Sequence, residues 1–286
     1  MAPFTPDTPP DLALRQIVAE CHTDLLKYRA IVLSGRRPIG IHQTRVAFRR
    51  MRAALTLFRD AVDEPSDGRI LRALSAEAKW LAGECAPARD LHVFLTETVH
   101  DVPPEVKRIA ARLARTHLER ARAALSGARY NGFDGQLVAF VQASPVRHSG
   151  RLDDFGSFLL DQHHSKVERR GRHLEDLSDE QLHKLRIAIK KLRYAATFLA
   201  PAFASETAKA YIETTVRLQG ALGAMNDSAV AAGMLEDIAI AARPTENIEG
   251  ALATLAKQAK SGNKHRWHRL RAAWKKFKKA ERFWRD

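Results

Sequence analysis

Apolar and polar residues along this chain recur at the helical period of about 3.6 nearly everywhere, and no strand-like alternation of useful length occurs. The pattern predicts helices over 12–33, 40–62, 70–84, 90–99, 105–125 and 135–142. It resumes with helices over 155–174, 181–199, 207–222, 227–242 and from 245 to the C-terminus. Breaks fall at Ser34-Gly35 and Pro38, at Pro103-Pro104, and at 144–150, which reads as a linker. The expected class is all-α: a disordered 1–9, then two helical halves, 10–145 and 151–286. Asp90 and Asp227 stand at two predicted helix starts and suit the N-cap, where a carboxylate accepts from otherwise unpaired amides.

One basic pattern is written twice, 141 positions apart: His42-x-x-Arg45-Val46-Ala47-x-Arg49-Arg50-x-Arg52 and His183-x-x-Arg186-Ile187-Ala188-x-Lys190-Lys191-x-Arg193. With His42 at zero on a helical wheel, Arg45, Arg49 and Arg52 fall within the same arc of roughly 80°. Ala47, Phe48, Met51, Ala54, Leu55 and Phe58 occupy the opposite side and can pack into a bundle. The second copy places His183, Arg186, Lys190 and Arg193 together in the same way. Arg50 and Lys191 lie off the shared face and rank below the other cations. The similarity continues outside the motif: His22 matches His163, Arg29 matches Arg170, and Leu81 to Asp90 aligns with Leu218 to Asp227. Two homologous half-domains, each presenting a basic helix, are therefore expected.

Charge narrows the choice of partner. A net +14 and a pI near 10.1 imply a polyanion: nucleic acid, an acidic membrane surface or polyphosphate. Hydrophobic content of 45% excludes general disorder. Cys21 and Cys85 form no metal-ligand spacing and read as buried thiols in a reducing compartment. The first residues carry neither the basic start nor the apolar core of a signal peptide, and no 18-residue apolar run exists. A cytoplasmic protein without a membrane span is expected.

On the helix preceding the second motif, His163, Lys166, Arg170 and His173 recur at i, i+3, i+7 and i+10 and are expected to form an opposing wall. The first half keeps His22 and Arg29 but has Leu25 at the lysine position, so the two walls are not equivalent. From Lys264 to Asp286, ten basic residues interleave with three tryptophans, a mixture that fits nucleic-acid stacking. Yet Trp267, Leu270, Trp274, Phe277 and Trp284 follow heptad-like spacing, which favours core packing with lysines outside. No His-x-x-x-His, Cys-x-x-Cys, nucleophile–base pair or phosphate-cradling glycine loop occurs, so no metal, cofactor or catalytic residue is assigned. The acidic cluster Asp60, Asp63, Glu64 and Asp67 reads as a solvated helix end.

The paired motifs, together with Lys79-Trp80-Leu81-x-Gly83 leading to Ala88-Arg89-Asp90 and with Met225-Asn226-Asp227, resemble the CHAD family, the conserved histidine α-helical domain. The resemblance covers residues 10–286 and implies an all-helical, pseudo-twofold pair of bundles whose basic groove or pore binds inorganic polyphosphate without turnover. It adds Lys79 and Arg89 to the expected ligand residues, and it allows association with polyphosphate granules. CHAD domains often accompany a triphosphate-tunnel hydrolase domain of the CYTH type, marked by Glu-x-Glu-x-Lys; that run is absent, so hydrolysis is not implied. Polyphosphate fits the residues too, since arginine grips phosphate oxygens with a planar fork and lysine adds a point charge. The alternatives are a nucleic-acid-binding protein and, third, a metal-assisted phosphohydrolase.

Overall fold

The computed structural model describes residues 4–35, 39–61, 65–143, 150–203, 205–261 and 263–285. Among them are eleven α-helices and no strand. The first half contains α1 (Pro10–Ser34), α2 (Ile39–Leu57), α3 (Pro65–Glu84), α4 (Ala86–Val93), α5 (Pro104–Ser126) and α6 (Ala128–Gln142). The second contains α7 (Leu152–Arg170), α8 (Asp179–Leu199), α9 (Thr207–Ala241), α10 (Glu249–Lys260) and α11 (Asn263–Lys278). No helix among the described residues is long and apolar enough to cross a membrane.

Local chemistry accounts for several boundaries. Pro10 and Pro104 open α1 and α5, where the missing amide would be unpaired anyway. Gly35 closes α1 in the left-handed region (φ 70°), its amide donating to the Val32 carbonyl. Ser178 and Gln181 form a reciprocal capping box at the start of α8.

The motif helices sit centrally. α2 packs against α1, α3, α4 and α8, and α8 packs against α7 and α9. The apolar arc predicted for α2 is buried, with Phe48, Met51, Ala54 and Phe58 fully inaccessible. Leu185, Ile189, Leu192 and Leu199 do the same on α8. This main core draws on both sides of the 144–149 segment. A second, smaller core joins Leu91, Phe94, Val106 and Ile109 to Ala231, Leu235, Ile238 and Leu255, again across the halves.

Several expected boundaries change. α9 is one helix of 35 residues where helices over 207–222 and 227–242 were expected, so Asp227 lies inside a helix and is no N-cap. Gly220 and Gly223 weaken it by about 1 kcal/mol each relative to alanine. Packing against α8, α10, α11 and α5 outweighs that loss. Asp90 is also internal, to α4, whose N-cap is Cys85. The helix expected over 90–99 is instead α4 followed by one π-helical turn, Phe94–Thr98. The C-terminal helix is split into α10 and α11. α7 stops at Arg170, and His173 adopts a left-handed conformation (φ 55°), so it does not continue the His163 row. The segment expected to be disordered is tied down from residue 4 onward: Phe4 packs on the main core, and Pro6 accepts from the Leu152 amide at 2.8 Å.

The aromatic C-terminus is core, as its spacing predicts. Leu270, Phe277 and Trp284 are buried, with Trp267 and Trp274 packed at the edge. Trp284 meets Tyr211 edge-on at 4.9 Å and donates its indole N–H to Asp161 at 2.9 Å. Gly171 permits this closure: it lies in ordinary backbone space (φ −93°), but a Cβ there would overlap the Trp274 indole. Gly171→Ala is therefore expected to destabilise the protein by about 1–3 kcal/mol through overpacking, read as a lower urea midpoint at unchanged m.

Candidate functional site: a cationic cavity between the motif helices

The basic faces of both motif helices border one cavity of about 340 Å³. α2 contributes His42, Arg45 and Arg49, α4 contributes Arg89 and Asp90, and α8 contributes Arg186. Val93, Phe94 and Thr98, and Val230 and Ala231 of α9, supply the remaining wall. Among the described residues, four arginines and a histidine thus face one lining carboxylate.

That carboxylate positions two of the arginines. Asp90 Oδ1 lies 3.3 Å from Arg89 Nη1 and 3.8 Å from Arg45 Nη2. Arg45 also donates through Nη1 to the Ala82 carbonyl at 3.1 Å. Arg49 crosses between the motif helices, donating its Nε–H to the Tyr194 hydroxyl at 2.7 Å. These contacts reduce the rotamer freedom that an incoming anion would otherwise have to freeze.

Crowding shows in the protonation equilibria. Burial lowers the pKa of His42, and the cations Arg89, Arg49 and Arg45 lower it further, opposed by Glu97. His42 is thereby biased toward the neutral form until an anion offsets the neighbouring charges. Lys190 is lowered by burial and then by Arg186, Arg49, Arg52 and Lys191, which sets it among the cations of both motifs. Burial lowers Arg45 as well, with Asp90 opposing, and burial alone lowers Arg52.

The remaining predicted residues lie elsewhere. His183 is exposed and does not line the cavity. Arg193 donates to Gln219 at 2.8 Å and stacks over the Tyr194 ring. Arg52 and Lys79 line a separate hollow between α2 and α3. His163, Lys166 and Arg170 occupy α7. His163 is buried, its Nδ1 is without a hydrogen-bond partner among the described residues, and burial followed by Lys191 and Lys166 lowers its pKa to about 4. Arg170 donates to the Lys184 carbonyl at 2.7 Å. In the first half, His22 pairs with Asp134 at 2.8 Å, and Arg29 donates to the Leu125 carbonyl while lying over Tyr130. Those two are held in structural contacts.

Arg50 is bound to Asp24 at 3.1 Å, with Glu20 at 3.9 Å, in keeping with its off-face position. Lys191 is different. It stands near Lys166, Arg170 and Arg59, a neighbourhood that a wheel drawn for one helix does not reveal. Tyr194 was also missed, because a tyrosine in an apolar stretch carries no signal for an arginine on another helix. Both thiols are buried and raised to about 12, which leaves them protonated and unreactive. Among the described residues, no three His, Cys, Asp or Glu side chains gather in a way that could hold a metal ion.

Known proteins share this architecture. Over 98% of this chain and 95% of the other, the structure is similar to the crystal structure of the CHAD domain from the plant Ricinus communis, with a TM-score of 0.81 at 23% identity. It is also similar to PptA from Streptomyces chartreusis, with a TM-score of 0.63 at 15% identity over 96% of this chain and 99% of that one. No curated protein matches the sequence. The CHAD-domain family pattern, however, matches residues 16–236, and the chain belongs to the CHAD-domain family.

Proposed function

We propose that this protein binds inorganic polyphosphate, without turning it over, in the cavity between the two motif helices. The observation that carries the reading is the lining: Arg45, Arg49, Arg89, Arg186 and His42 converge from three helices, with Asp90 the one carboxylate among the described residues. Polyphosphate has a charge on every unit and no bases. A site made of guanidinium forks suits it better than one built for stacking. The C-terminal tryptophans, whose mixture with basic residues fits a stacking platform, are engaged in the core or at its edge. The same proposal includes the duplication: the repeats at offset 141 are two homologous half-domains whose basic helices meet around one anion. It also places the protein in the cytoplasm, at polyphosphate granules where these form.

Competition tests the partner. Labelled duplex DNA is bound to the full chain, then titrated with long-chain polyphosphate at matched total charge, and the reverse exchange is run in parallel. Polyphosphate is expected to displace the DNA, and its log affinity should fall linearly with log salt, as counterion release requires. DNA displacing polyphosphate at matched charge would transfer the site to nucleic acid.

A further inference from the structure

The cavity does not use every cation that its two helices bring together. Farther along α2, a hollow of about 280 Å³ opens against α3, lined by Arg52, Arg59, Arg72 and Lys79 with the hydroxyl-bearing Thr56 and Ser75. Among the described residues no carboxylate lines it. Among the described residues Arg59 has a loose contact with its neighbour Asp60, at 3.7 Å. The Arg52 Nε–H is buried and has no hydrogen-bond partner among the described residues. A buried donor on a permanently charged group is costly to leave unmatched, by about 1–3 kcal/mol or more. A ligand anion would satisfy it.

The hollow is not isolated from the cavity. Lys190 of α8 has Arg49 and Arg186 of the cavity and Arg52 of the hollow among its electrostatic neighbours. The cations therefore run from Arg45 through Arg49, Lys190 and Arg52 to Arg59, Arg72 and Lys79. At a helical rise of about 1.5 Å per residue, Arg45 and Arg59 are separated by roughly 20 Å along the axis. Three phosphates do not reach that far.

We propose that the hollow is a second phosphate subsite, occupied by a later segment of the same polyphosphate chain that fills the cavity. Joint occupancy sets a minimum chain length for tight binding. This inference rests on reading the cavity as a polyphosphate site.

Calorimetric titration of the full chain with tripolyphosphate and with a polyphosphate of several tens of units separates the two claims. Concentrations are counted in phosphate units, so that the many registers of a long chain do not inflate its affinity. Tripolyphosphate reads the cavity, while the long chain reads cavity and hollow as linked sites. Linkage is expected to give the long chain an advantage of about 100-fold. Arg59→Gln with Arg72→Gln should cut that advantage at least about tenfold while leaving tripolyphosphate binding as it was. Arg108→Gln with Arg115→Gln on α5 removes the same charge away from the hollow, and should keep the advantage. Tripolyphosphate binding without a long-chain advantage, or an advantage that survives at Arg59 and Arg72, overturns the subsite and leaves the cavity reading standing. Failure of both anions to bind removes both.

Discussion

Replacing Arg45, Arg49, Arg186 and Lys190 by glutamine in one chain is expected to weaken long-chain polyphosphate binding by about 1,000-fold, with the helical circular-dichroism signal unchanged. Hydrogen bonds to charged groups contribute about 1.5–3 kcal/mol each, and taking only about 1 for each of four gives roughly 4 kcal/mol, or three decades. Folding should tolerate the change. None of the four belongs to the buried apolar arc, and Lys190 is held among like charges that destabilise its ammonium form. The structural losses are the bonds from Arg45 to the Ala82 carbonyl and from Arg49 to the Tyr194 hydroxyl, a matter of about 1–3 kcal/mol each. Arg50→Gln is the matched comparison, because that guanidinium points at Asp24 and Glu20, and its removal should change affinity less than about threefold. Affinity retained within tenfold by the quadruple variant would move the binding face elsewhere.

The separation of Arg49 from Arg50 was legible because it depends on a single helix. Period, wheel angle and the apolar arc follow from local geometry, and α2 and α8 bury the residues that the arc predicts. What α2 and α8 do to each other was not legible. His42 and His183 hold the same motif position, yet one lines the cavity and the other is exposed. Arg193 would join Arg52 by symmetry of sequence, but Gln219 on α9 captures it. Lys191 falls off the wheel's basic arc and still meets Lys166, Arg170 and Arg59, because α7 and the turn after α2 approach from that side. The cap readings failed for a related reason. Asp90 and Asp227 stand at the starts of helices that the apolar period predicts, and a carboxylate at a turn-like sequence suits a cap equally well on paper. In the fold, continuous packing carries α9 past position 227, and Asp90 is drawn into the arginines that it orients. Side chains that answer to a neighbouring helix are settled by tertiary packing, and periodicity is silent on them.

Acid is expected to unfold this protein in two separable stages, the first governed by histidines. His163 is buried with only 8% of its surface exposed, and burial, then Lys191 and Lys166, lower its pKa from 6.5 to about 4. His164 is lowered in the same direction by burial and by Arg282, against the opposing pull of Glu168, and its Nδ1 lies 2.8 Å from the Tyr211 hydroxyl. In the unfolded chain both take up a proton near pH 6.5, whereas in the fold both remain neutral until the pH is well below that. Between those limits the unfolded state binds more protons, so stability falls as pH falls, by up to about 1.4 kcal/mol per pH unit for each histidine. For His163 the whole window amounts to about 3 kcal/mol. The carboxylates act lower. Glu77 and Glu84 are depressed by their bonds to Arg129 and Arg120, and Glu246 is depressed to about 2 by Arg112, so their contribution is lost as pH falls from the ordinary carboxylate range through these lower values. Urea unfolding at a series of pH values from 7.5 to 3 should therefore show a first decline from about pH 6.5 downward, before the carboxylates titrate. His163→Gln combined with His164→Gln should lower the plateau at pH 7.5, flatten that first decline, and leave the second in place. A decline that begins below pH 4.5 in the unaltered protein would mean that these histidines are charged in the fold and that an anion-binding role for His163 must be reconsidered from a protonated ring; a first decline as steep in the double variant as in the unaltered protein would assign it to the other lowered histidines, His42 and His117.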